Sequence, residues 1–495
     1  MSEMAGKFVE NYKKRFVNPY NFIPLMESCS RSVPTAEFED CYTGYFDCRI
    51  KLLTPLFIPN TSSSSRLLNE EEKRNEKCKD EKWKGYDFYS YDDWSSEEWE
   101  GTGLPLPPQN PAIPGSEIRG ALRSVFEAAF NGCMSSVSAG RVLSERTNKA
   151  KKLPACLGRK VFTKTVEALL KENGGYDPCA DEKLCPACQV FGMVGKSGKT
   201  YARASKVRVT DAVLIDPARD GGALFEEPVV LPELGEPKPG TVEFYTEPPY
   251  GPSEKWKKGQ GFWTYDYKYK VQNNKNPQNM RILSVREPKL RGRKYYWHSQ
   301  VDLEQYRGNQ LSAMKQRIRP MKAVGRDEEP LFRFRVYFER LNRTQLNQLK
   351  WAIDFGNPAC AHKIGRAKPL GFGSVRLSID NLYLREIDKG TGIWEMKRET
   401  NIENFFSHPV EASEALKIVQ KMANWEERPW NVQYPSVDPG SHRTPYKKNE
   451  TASHQWFKEN KKDGYFMKVL PKADEDARKN LESEKALYTY TRNKN

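Results

Sequence analysis

No run of about 18 apolar residues occurs anywhere in the 495-residue chain, so no segment reads as a membrane-spanning helix. The opening MSEMAGKFVENYKKRF lacks the apolar core of a secretory signal, which points to the cytoplasm. Cysteine, at 10 residues, is too sparse for a disulfide-framed secreted fold. Histidine is scarcer still, and its 5 residues leave little choice of imidazole for acid–base chemistry. The apolar fraction of 38% and mean hydropathy of −0.79 are low for one compact globule, so long polar loops or tails are expected. No short-period repeat is present.

Positive charge and aromatic surface are abundant. Lys and Arg number 80 against 65 Asp and Glu, a net charge of +15 with a pI near 9.1. That balance favours a polyanionic partner, nucleic acid before a membrane surface. Aromatic residues make up 12% of the chain and offer stacking surfaces for unpaired bases. A chain of this length corresponds to roughly two to four domains.

Hydrophobic periodicity divides the chain. After an N-terminal arm, 1–44, the stretch YFDCRIKLL alternates through Phe46, Cys48, Ile50 and Leu52, a half-buried strand. A polar insertion at about 60–110 follows it. Next, Ser116 is expected to cap an amphipathic helix carrying Ile118, Leu122, Val125, Phe126, Ala129 and Phe130. Val207, Val209 and Val213 then return to alternation. The same order recurs at 331–385: a strand through Phe332, Phe334, Val336 and Phe338, a helix capped at Thr344, and a strand through Val375, Leu377 and Ile379. Two strand–helix–strand units, 45–216 and 331–385, predict an α+β fold. Its core is an antiparallel sheet with helices on one face, a ferredoxin-like or RRM-like plan with long inserted loops. Between the units, 217–330 reads as extended loops and hairpins. Beyond 386 lie one helix, SEALKIVQKMANW, and a Lys-rich tail expected to be partly disordered or to order on a partner.

Two short motifs carry chemistry. In DPCADEKLCPACQVFG, Cys179, Cys185 and Cys188 supply three thiolates within ten residues, which suits tetrahedral zinc in a zinc-binding insertion. Cys156 is the nearest upstream fourth ligand, with Cys133 next. Ordinary half-buried thiols are the alternative. A redox pair is disfavoured because no helical pattern begins at Cys185. In IGRAKPLGFGSVRL, Gly365, Gly371 and Gly373 surround Arg366 and Lys368. Glycine permits close backbone approach and positive φ, so the loop is either an anion-gripping turn or a tight connection.

Five blocks, YTGYFDCRIKLLTPLFI, PAIPGSEIRGALRS, CPACQVFG, SKVRVTDA and HKIGRAKPLGFGSVRL, occur in an order that resembles the RAMP superfamily of CRISPR-associated proteins. The likeness is strongest to backbone-type subunits of type III effector complexes, which are built on a modified RRM-like core. It implies that the chain grips guide RNA, presents it to target RNA and assembles with other effector subunits. On that reading Ser116 and the neighbouring N–H groups form a phosphate seat. Arg119 and Arg123 share one helix face toward the sugar–phosphate chain. Gly371 and Gly373 bring backbone to the RNA while Arg366 and Lys368 supply charge.

The resemblance leaves catalysis open. Target-cleaving relatives use an aspartate after the first strand with a divalent metal such as magnesium. Asp87, Asp92 and Asp93 lie in the corresponding insertion, with Asp92 the first choice. Metal-independent guide processing would instead need an imidazole, His298 beside Arg291, Arg293 and Lys294, or His362. A role confined to protein assembly is the further alternative.

Overall fold

The alternating segments become strands of one antiparallel sheet in the computed structural model of the chain. The structure describes residues 8–34, 41–60, 87–92, 107–136, 166–195, 201–232, 234, 242–247, 261–263, 268–272, 281–286, 289–309, 315–325, 328–407, 410–437, 452–460, 468–473 and 487–492. Cys156, Asp93 and most of the 60–110 insertion lie outside these residues.

The central sheet is built from β1 (Tyr42–Leu52), β2 (Val207–Val209), β3 (Val213–Leu214), β4 (Phe332–Leu341), β5 (His362–Lys363), β6 (Ser374–Ile387) and β7 (Trp394–Glu399). Along the sheet the order is β5-β6-β1-β4-β2; β7 pairs with β6, and β3 with β4. Phe46, Cys48, Ile50 and Leu52 are buried on one face, as are Phe332, Phe334, Val336 and Phe338 opposite them. The period of two sets this register, since a one-residue slip would turn every one of these side chains to water.

The covering helices are α1 (Gly115–Ala129), α2 (Pro186–Phe191), α3 (Arg343–Asp354) and α4 (Glu414–Ala423). The first packs against the other three, and all six of its expected apolar positions, through Phe130, are buried. Truncating a buried aromatic such as Phe126 to Ala costs about 3–5 kcal/mol in comparable cores.

Two helix starts differ from expectation. Pro114, not Ser116, holds the N-cap position of α1 and makes no side-chain cap; Ser116 sits within the first turn. The first N–H, Gly115 N, donates to Asp211 Oδ1 at 2.7 Å, a carboxylate 96 positions away. In α3 the cap is Asn342, whose reciprocal capping box with Gln345 satisfies donors that Thr344 does not. Ser413 caps α4 through Leu416 N.

A second apolar cluster gathers Phe16, Tyr20, Phe22, Phe244, Trp456 and Leu487. Here Phe8–Phe16 pairs antiparallel with Leu487–Arg492. The end of the tail therefore orders on the chain's own N-terminal arm, because it carries Leu487, Tyr488 and Tyr490 to bury. Among the described residues no helix is long and apolar enough to cross a membrane.

Candidate nucleic-acid interface and metal centre

The first turn of α1 and the glycine-rich loop, about 250 positions apart in sequence, open onto one cleft of about 360 Å³. Ser116, Ser124, Lys294, Tyr296, Lys363 and Lys368 line it. Lys294 Nζ stands 3.9 Å from the Tyr20 ring centroid and 5.1 Å from that of Tyr296. Burial lowers the pKa of Lys294 to about 8. Lys363 donates to the Gly371 and Phe372 carbonyls at 2.8 and 3.1 Å, and burial pushes its pKa well down. Burial also lowers Lys368, against an opposing pull from Glu117. Three ammonium groups short of solvation face one opening, and an anion there would restore what burial removes.

The glycines serve the chain's own packing rather than an incoming backbone. Gly373 has φ +72°, and a Cβ there would stand 1.9 Å from the Ile364 carbonyl oxygen. Gly371 has φ +95°, and its Cβ would meet Ser299 Oγ at 2.8 Å. Both are buried, which corrects the expectation that they approach RNA. Their role is to fold the loop onto the end of β1: Gly373 N donates to the Pro55 carbonyl at 2.9 Å and Arg366 N to the Phe57 carbonyl at 2.9 Å. Arg366 is exposed beside the half-buried Lys368, so the loop presents charge at its rim and hides its glycines.

Arg119 and Arg123 share a helix face as expected, but it turns inward. Arg119 reaches the Phe191 carbonyl at 2.5 Å and Ser205 Oγ at 3.0 Å. Arg123 donates to Glu127 Oε1 at 2.8 Å, the Gly192 carbonyl at 3.0 Å and Cys188 Sγ at 3.4 Å. Both guanidinium groups tie α1 to the cysteine-bearing segment, which corrects their placement against a sugar–phosphate chain.

Cys133, Cys179, Cys185 and Cys188 bring their sulfurs within 4.8 Å of one another, all four buried. Among the described residues the fourth thiol is Cys133, delivered by the turn after α1; Cys156 lies outside them. Tetrahedral zinc with bonds of ~2.3 Å sets its ligand sulfurs ~3.8 Å apart. Cys133 Sγ and Cys188 Sγ lie 3.7 Å apart, so the group fits such an ion. Hydrogen bonds from Cys133, and then Cys179 and Cys188, hold Cys185 toward the thiolate. Cys185 N donates to Cys179 Sγ at 3.3 Å. A short helix does begin after Cys185, with Pro186 in its first turn, contrary to the sequence argument against a redox pair. Four converging thiols are nevertheless more than a pair, and their spacing suits a metal ion.

The acidic and imidazole candidates are differently placed. Asp92 accepts from Gln109 N at 2.7 Å, Asn110 N at 2.9 Å and Asn110 Nδ2 at 2.6 Å, so it braces a loop. Asp87 is buried, and burial raises its pKa to about 6. His298 is fully buried between Ser374 Oγ at 2.9 Å and the Ala361 carbonyl at 3.1 Å, and burial pushes its pKa well down. It cannot face a phosphate from there, and neither does the buried Trp297 offer a stacking surface. His362 adjoins the cleft, bonds the Ile353 carbonyl at 2.8 Å, and has its pKa lowered by burial to about 4. Sequence reasoning missed Lys363, which follows His362 in the two-residue strand β5 and is buried with it, so no periodicity marks it.

A family model described as the RAMP superfamily matches residues 49–376, more than half of the chain. A solved structure titled Type IV-B CRISPR Complex shares 13% identity, covers 68% of this chain and 90% of its own, and has a TM-score of 0.25. Another, Csc2 of Thermofilum pendens, shares 10% identity, covers 79% of this chain and 78% of its own, with a TM-score of 0.25. No curated protein gave a significant match.

Proposed function

Because the chain belongs to the RAMP superfamily, we propose that it binds guide RNA as a subunit of a CRISPR effector complex, and grips the RNA backbone in the lysine-lined cleft. The observation that supports this reading is the convergence of Ser116, Lys294, Lys363 and Lys368 on one opening at the start of α1. Ammonium groups short of water favour a phosphate; in the first turn of α1 Gly115 N is already held by Asp211 and Glu117 N by the Pro114 carbonyl, so the lysines carry the grip. Glu117 lies in the same opening and would be turned from the ligand or compensated by Lys368. The strand order β6-β1-β4-β2, with α1 and α3 as crossovers, is read as a ferredoxin-like core.

Zinc held by Cys133, Cys179, Cys185 and Cys188 would be structural. A closed set of four thiolates leaves no position for a reacting water. The role is binding rather than cutting: Asp92 already serves three N–H donors and His298 is out of reach of any ligand. Guide and target RNA and the other effector subunits are the partners this reading supplies.

The test is binding of a fluorescent single-stranded RNA to the intact chain across a salt series. Lys368→Ala should weaken binding similarly for different sequences and lower the salt slope by roughly 0.7, one phosphate's share on a single strand. An unchanged affinity and slope would overturn the cleft as the grip.

A further inference from the structure

The sheet face away from the helices exposes, among the described residues, an ordered row. Arg208 of β2 lies opposite Tyr337 of β4, Tyr337 opposite Tyr45 of β1, Tyr45 opposite Tyr383 of β6, and Tyr383 opposite Arg398 of β7. Residues directly opposite on antiparallel strands point to the same face, so five adjacent strands present Arg-Tyr-Tyr-Tyr-Arg across the sheet. The Tyr45 and Tyr383 rings are stacked, with centroids 4.7 Å apart and planes 20° apart. From the β4 side Tyr337 is tilted beside Tyr45 at 5.3 Å and the Arg335 guanidinium lies 4.6 Å from the Tyr45 centroid, so Tyr45 is the enclosed middle of the row and Tyr337 and Tyr383 flank it. The three tyrosines are half-buried, and both arginines are exposed.

Next to this row lies an open hollow of about 700 Å³ lined by Asp47, Arg49, Arg333, Arg335 and Asn381. Its three acids are all engaged: Asp47 pairs with Arg335 at 2.7 Å, Asp380 with Arg49 at 2.6 Å, and Asp211 accepts from the Tyr91 hydroxyl and from Gly115 N. Arg208, Arg333 and Arg398 have no partner among the described residues. Cross-strand tyrosine pairs would contribute to sheet stability by themselves. They do not account for an uncompensated arginine at each end of the row, nor for a third beside it.

We propose that this row is a stacking platform for unpaired RNA bases, distinct from the cleft, with Arg208, Arg333 and Arg398 meeting the flanking phosphates. Every base has a π-face, so tyrosines read single strands with little sequence preference, and the charge favours a nucleic acid over a protein. No aliphatic side chain occupies the row, whereas the buried centre of a protein interface would be more apolar. The proposal rests on the chain being an RNA binder, but on a different surface from the one argued above.

The experiment is fluorescence anisotropy of the full chain with labelled oligouridine, oligoadenosine and an RNA duplex. Tyr337→Ala and Tyr383→Ala should each weaken single-strand binding about tenfold with the salt slope kept, and Tyr→Phe at either site should restore it. Duplex binding should not change. If an Ala variant fails to fold, Tyr383→Leu keeps apolar area without a π-face and should show the same loss. Folded variants that bind like the wild type, while Lys368→Ala still weakens binding, would remove the platform and leave the cleft standing. A change in oligomeric state with RNA affinity intact would make the row a protein interface and overturn the proposal. Failure of the wild-type chain to bind any single strand would overturn both sites.

Discussion

Thr54 Oγ1 donates to the Gly371 carbonyl at 2.9 Å and accepts from Ser374 N at 2.9 Å, joining the end of the first strand to the glycine-rich loop across 317 positions. The Thr-Pro-Leu step and the loop are thus one unit, and the position of Lys368 depends on both.

Substitution of Gly373 should act through folding. With φ at +72° and the Ile364 carbonyl in the way, Gly373→Ala is expected to cost at least ~1–3 kcal/mol, read from denaturant melts. Thr54→Val should cost a similar ~1–3 kcal/mol by stranding the buried Ser374 N–H. Full stability in both variants would show that the loop is not pinned as described.

The metal assignment predicts about one zinc per chain in purified, reduced protein, measured by elemental analysis. Cys133→Ser should lose the metal and lower the melting temperature, as should the Cys185→Ser, Cys188→Ser pair. Cys156→Ser should keep it. Zinc retained by Cys133→Ser and lost by Cys156→Ser would reverse the choice of fourth ligand.

Arg123 belongs to the support of that site. Its removal leaves the buried Glu127 with Arg293 at 3.8 Å and Ser135, and exposes Cys188 Sγ to loss of its N–H donor. Arg123→Ala should therefore destabilise the fold by about 3 kcal/mol and weaken zinc about tenfold, while the salt slope of RNA binding stays put. A lower slope at wild-type stability would return this arginine to the RNA.

Acid should destabilise the chain early. Burial lowers His362 from 6.5 to about 4, so the folded form binds its proton more weakly than the unfolded chain. The stability this represents, on the order of 3 kcal/mol, is fully present above pH 6.5 and is lost as pH falls toward 4. His298, also lowered, adds in the same direction. Asp87, raised to about 6, opposes them, since its contribution is present at low pH and lost as pH rises through 6. Melting temperatures from pH 7.5 to 4.5 should fall, and His362→Gln should flatten the curve. An unchanged curve in that variant would place the acid sensitivity elsewhere.

The sheet was legible because one face of each long strand is buried, so Phe46 to Leu52 and Phe332 to Phe338 announce themselves by alternation. The start of α1 was misread because Asp211, which holds Gly115 N, is 96 residues distant and no local pattern points to it. Cys156 was preferred to Cys133 on chain distance, whereas α1 ends where the other three cysteines gather. For the glycine loop, the residue type was read correctly and the neighbour was not: the close backbone belongs to Ile364. The tyrosine row was hidden because its members lie on separate strands and only pairing brings them together.

The pairing of Phe8–Phe16 with Leu487–Arg492 also fixes an order of events during synthesis. The arm is made long before its partner strand, so the second apolar cluster stays open until Leu487–Arg492 has been made. A polypeptide halted before Leu487 would leave Phe16 and Trp456 without the strand that completes their cluster.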